Sequence, residues 1–166
     1  MIMRKILTLF VIAMALMGCG ALLKVPVTEI NGNLSNYNYV YIIPTAPLTS
    51  SSGISGGQYG VYGGTTKTIN PADVIAGEMM KKGFTVLPEI REEFKNKTIV
   101  VSYGETGIRY LWGGLLGYSK EVIIQFRDAV TSELIVSSQA EGVGSTESDD
   151  IREALIRAID AIFKDL

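Results

Sequence analysis

Few residues of this chain could do chemistry, and each candidate can be set against what that chemistry requires. Gly53-Ile54-Ser55-Gly56-Gly57 has the Gly-x-Ser-x-Gly spacing of a nucleophile elbow, a tight turn that lifts a serine hydroxyl toward a carbonyl. Such a serine needs a strand before it, a helix after it and a base within hydrogen-bond reach. The chain has no histidine, and the motif lies in a Gly- and Ser-rich run where Lys67 is the nearest candidate base, a rare pairing. Gly142-Val143-Gly144 has the start of a dinucleotide-binding turn. Glu147 stands where the third glycine belongs, however, and the chain ends with the helix that follows, without a parallel strand. Glu89, Glu92 and Glu93 could face a hard cation, but Arg91, Lys95 and Lys97 are interleaved with them and calcium-loop spacing is absent. The residues therefore point to a protein that is not an enzyme, with no catalytic residue, no cofactor and no metal site.

The remaining reactive side chain is the single cysteine, Cys19. A basic start (Arg4, Lys5) and an apolar run from Ile6 to Met17 precede it, the anatomy of an export signal too short to span a bilayer stably. Leu16-Met17-Gly18-Cys19 resembles the lipobox of bacterial lipoproteins, with Met17 where a small or β-branched residue is more usual. That resemblance implies a diacylglycerol on the Cys19 sulfur, cleavage after Gly18, and an acyl chain such as palmitate on the new amine. Two or more chains give stable attachment where one gives only marginal binding. The expectation is a signal peptide over residues 1–18, a lipidated tether over 19–35 and one domain over 36–166. Gly20, rather than Asp, after the cysteine points to the outer membrane with the domain facing the periplasm.

Charge and composition exclude several partners. The chain has 15 Lys and Arg against 17 Asp and Glu, and no basic block, so nucleic acid is a poor candidate. Loss of Arg4 and Lys5 with the signal makes the mature part more acidic still, with no polybasic stretch to supplement the lipid. One cysteine, assigned to lipid, leaves no internal disulfide and no thiolate metal site.

The folded part reads as strand, helix, four strands, helix. Asn36 to Ile43 is aromatic and β-branched, and Pro44 stops it. Residues 48–68, with six glycines between Gly53 and Gly64, read as a mobile loop. Asn70 caps a helix with Pro71 at its first position; Ala72, Ile75, Ala76 and Met79 form its stripe, and Gly83 ends it. Thr85 to Ile90 is a short strand that Pro88 places at an edge, and Glu89 to Lys97 a solvated turn. Thr98 to Tyr103 is a buried strand, and Glu121 to Phe126 pairs with Leu134 to Ala140 as a hairpin. Ile151, Ala154, Leu155, Ala158, Ile159, Ile162 and Leu166 fall on one face of a last helix, capped by Thr146 or Ser148. Glu153 with Arg157, and Asp160 with Lys164, are spaced as helix-surface pairs. The order predicts an α+β two-layer sandwich, two helices on one face of a mainly antiparallel sheet.

Several strings resemble a family of small bacterial outer-membrane lipoproteins of unknown function, distantly similar to envelope-assembly lipoproteins. They are Leu34 to Tyr41, Met80-Lys81-Lys82-Gly83-Phe84, and the turn Asp128-Ala129-Val130-Thr131-Ser132, with Ser132 in place of the family's glycine. The resemblance covers roughly residues 34–166 and implies fold; that family has no assigned catalytic residues.

The most suggestive interaction feature is Tyr110-Leu111-Trp112-Gly113-Gly114-Leu115-Leu116-Gly117-Tyr118. It holds the chain's only Trp and no charge. Two readings are open. As a contact surface, Tyr110, Leu111, Trp112, Leu115, Leu116 and Tyr118 dock an envelope protein or dip into the membrane interface. As plain core, the segment packs over the sheet or under the 53–64 loop. A further alternative is a periplasmic binding module, with an apolar small molecule or lipid between helices and sheet.

Overall fold

The computed structural model describes residues 23–52, 65–115 and 117–164. Their strands are β1 (Val27–Ile30), β2 (Tyr39–Ile42), β3 (Leu48–Ser52), β4 (Thr65–Ile69), β5 (Thr85–Leu87), β6 (Thr98–Tyr110), β7 (Tyr118–Asp128) and β8 (Leu134–Gly142). Two helices, α1 (Pro71–Lys81) and α2 (Glu147–Lys164), complete them. Six strands form one sheet in the order β1-β8-β7-β6-β2-β5, and β3 with β4 forms a separate pair. The fold is α+β, as the pattern predicts. The sheet is mixed, with β2 running parallel to both β5 and β6 while β6, β7, β8 and β1 are antiparallel neighbours.

Alternation along the strands explains the layering. Val40, Ile42, Ile99, Val101, Val122, Ile124, Phe126, Val136 and Ala140 are buried in one core with Ile75 and Met79 of α1. From α2 come Ile151, Ala154, Leu155, Ala158, Ile159 and Ile162, the predicted stripe apart from Leu166, which lies outside the described residues. Helix α2 lies so close to β8 that a Cβ on Gly142 would stand 2.0 Å from the Asp150 carbonyl oxygen. Glycine is required there for space.

The helix ends follow their local chemistry. The Asn70 side chain accepts from the Ala72 N–H, and Pro71 occupies the first turn. Gly83, at φ +92°, closes α1 with Gly83 N–H to Met80 O and Phe84 N–H to Met79 O, the two bonds of a Schellman motif. Thr146 caps α2 by accepting from the Asp149 N–H at 3.2 Å.

Four expectations change. Residues 27–30 lie within the expected tether, yet they form β1 on the outer side of β8. Both ends of the expected 48–68 loop are strands, paired from Leu48–Ile69 to Ser52–Thr65; residues 53–64 lie outside the described residues. Strands β6 and β7 run on well beyond 103 and 121, paired as far as Tyr110–Tyr118 with a bulge between Glu105 and Gly107. On α2, the charged residues reach off the helix instead of pairing along it. Glu153 accepts from the Val143 N–H, Arg157 donates to backbone carbonyls of Glu141 and Lys24, and Asp160 pairs with Lys82.

Candidate interaction surface

Beyond Val101, β6 loses β2 as its neighbour and continues with β7 as an arm. The turn of that arm is built by glycines and one strained residue. Gly113, Gly114 and Gly117 all have positive φ, and so does Trp112, at φ 49° and ψ 48°. A bulky aromatic in the left-handed region costs energy that the turn's own bonds must offset. Those bonds are Leu111 N–H to Gly117 O at 3.0 Å, Leu115 N–H to Trp112 O at 3.3 Å, and Gly117 N–H to Gly114 O at 3.2 Å.

The six residues expected to act as a contact surface divide. Trp112 is 73% exposed, Leu115 83% and Tyr110 69%, and Tyr118 is on the margin at 37%. Leu111 is buried at 3%, so it secures the turn and is not part of the surface. Leu116 lies outside the described residues. Ile108, also exposed, extends the apolar strip back along β6. An uncharged tip of this kind leaves apolar area in water that soluble surfaces normally bury or use.

At the root of the arm lies a charged cluster that sequence spacing does not reveal. Glu141 on β8 is 1% exposed. Its carboxylate accepts from Arg109 Nε at 2.7 Å and from the Lys24 backbone N–H at 3.1 Å, with Lys24 Nζ 3.3 Å away. Arg109's hydrogen bonds first, and the Lys24 amide after them, hold this carboxyl at about 2 in spite of burial. Glu141 is 32 residues from Arg109 and 117 from Lys24, so only the β6-β7-β8-β1 order brings the three together.

The other candidates read as structure. Lys67 is paired with Asp149 at 2.7 Å, and Ser55 lies outside the described residues. The amides of Val143 and Gly144 donate to Glu153 and Asp150, so the turn before α2 is already satisfied by carboxylates where a dinucleotide phosphate would have to sit. Among the described residues no group of Asp, Glu, His or Cys could hold a metal ion, and no helix is long and apolar enough to cross a membrane. Side chains fill the space between helices and sheet. A groove of about 330 Å³ lies at its margin, where Leu34, Tyr37, Phe84 and Phe163 meet Lys82. In the β7–β8 turn, Ser132 takes φ 62°, a left-handed conformation that favours glycine.

No protein-family model matches the chain, and no curated protein matches it. Among solved structures it is similar to the PelC dodecamer from Paraburkholderia phytofirmans. That match has 13% identity and a TM-score of 0.50 over 86% of this chain and 98% of that one. A methionine variant of the same dodecamer matches at 13% identity and a TM-score of 0.46, covering 83% and 92%. At this identity the likeness concerns the fold.

Proposed function

We propose that this chain is a lipid-anchored, non-enzymatic protein of the bacterial cell envelope. It is held through Cys19 in the outer membrane and faces the periplasm. Its work is interaction or assembly, carried out by the tip of the β6–β7 arm. The observation that supports this most directly is the pairing of a filled core with an exposed apolar tip at Tyr110, Trp112 and Leu115. The similar fold of PelC, itself a dodecamer, adds support for an assembly role. A ligand held between helices and sheet has less in its favour, because that space is occupied by side chains.

A photo-crosslinking residue placed at Trp112 and at Leu115 in native cells tests this reading. Adducts from either site to an envelope protein or to phospholipid are expected. Exclusively intramolecular adducts would overturn the proposal.

A further inference from the structure

Two parts of the molecule meet at Glu141, the entering chain at Lys24 and the arm at Arg109. The Lys24 backbone is held from both sides, its N–H by Glu141 Oε2 at 3.1 Å and its carbonyl by Arg157 Nη2 at 2.8 Å. Leu23, just before it, is buried. Arg157 donates also to the Glu141 backbone carbonyl, and the Glu141 side chain takes Arg109 of the arm. The chain thus enters the fold at the end of the sheet from which the arm departs.

From Lys24 back to Cys19 the chain can span at most about 18 Å. Glu141 is paired across β7 with Glu121, whose own partner on β6 is Gly107. From that row the arm runs through Ile108–Lys120 and Arg109–Ser119 to Tyr110–Tyr118, roughly 10 Å, before the turn extends it further. The anchor therefore lies no more than about 18 Å from the clamp, a limit that includes the roughly 10 Å run of the arm. Both carry exposed apolar side chains: Val25 and Val27 on the entering segment, Trp112 and Leu115 on the tip. Trp and Tyr side chains suit the headgroup level of a bilayer better than bulk water.

We infer that Glu141 is a positioning residue. Through Arg109, Arg157 and the Lys24 backbone it ties the lipidated N-terminus to the arm, so that Trp112 and Leu115 rest in the headgroup layer of the membrane that holds the anchor. The inference rests on the lipidation of Cys19 proposed above.

Trp112 is the chain's only tryptophan, so its fluorescence is a built-in probe. The full lipidated protein would be placed in phosphatidylethanolamine–phosphatidylglycerol vesicles with and without bromine-labelled acyl chains. Strong quenching and a blue-shifted emission are expected, with quenching several-fold weaker in Glu141→Gln. A second variant leaves the clamp intact and inserts a flexible Gly-Ser spacer of about ten residues between Gly20 and Ala21, which frees the anchor from the arm. It too should lose most of the quenching, with an unchanged circular dichroism spectrum. Absence of quenching in the unmodified protein would overturn the inference and direct the tip to a protein partner. Full quenching in the spacer variant would overturn it as well, since the tip would then find the membrane unaided. The intact mass of the purified protein separates the two levels: a missing lipid on Cys19 defeats the anchoring itself, whereas lipid without quenching defeats only the clamp.

Discussion

The root of β6 and its tip obey opposite rules within one strand. At the root, Ile99 and Val101 are fully buried, with Val40, Phe126 and α2 completing the core around them. At the tip, Ile108 and Tyr110 have β7 alongside and solvent beyond. The same alternation of side chains produces core where a second layer covers it and exposed apolar area where none does. Buried packing therefore belongs to the root, and exposed apolar area belongs to the tip. The Glu141 cluster sits at the boundary between them.

The widest separation of the two regions should come from paired truncations. Phe126→Ala removes a fully buried ring and should lower unfolding free energy by about 4 kcal/mol, read as a shift in urea midpoint. A loss below about 1 kcal/mol would mean the sheet–helix interface is looser than described.

The boundary residue comes next. Glu141→Gln should cost about 2 kcal/mol near neutral pH, because Arg109 and the Lys24 amide lose a charged acceptor. Its sign with pH follows from the depressed folded value. The carboxyl titrates at about 2 when folded against 4.5 ordinarily, so its contribution is complete above about pH 4.5 and is lost as pH falls toward 2. Denaturation curves of the two proteins should converge across that window. A gap that stayed constant with pH would show that the charge is not what matters.

The smallest effect should come from the tip. Trp112→Ala should change stability by less than about 0.5 kcal/mol while abolishing crosslinks from Leu115. A large loss of stability there would make the tip part of the core and remove the contrast.

What the sequence made legible follows from how local each signal is. The α2 stripe from Ile151 to Ile162, the Asn70 cap with Pro71, and Gly83 each depend on residues within a few positions, and all appear as read. Strand β1 was hidden because Val27-Thr28-Glu29-Ile30 is short and only weakly apolar; what makes it a strand is an edge of β8 more than a hundred residues away. Leu48 to Ser52 was hidden because serines and threonines satisfy each other across the ladder, as Thr49 and Thr68 do at 2.9 Å, without a hydrophobic alternation to announce it. The tip was legible as an uncharged aromatic and glycine cluster. Its exposure was not, since composition alone cannot say whether a second layer covers it. The Glu141 cluster was the least legible, being assembled from three strands' worth of register.

The bulge between Glu105 and Gly107 has a consequence for life in a crowded compartment. Past Val101 the outer edge of β6 has no strand beside it among the described residues, and a straight bare edge of that length would invite the same edge of another molecule to add on. An extra residue twists the ribbon away from flatness and breaks the regular row of amides. An edge interrupted in this way is a poorer template for strand addition by a second copy than a straight one would be.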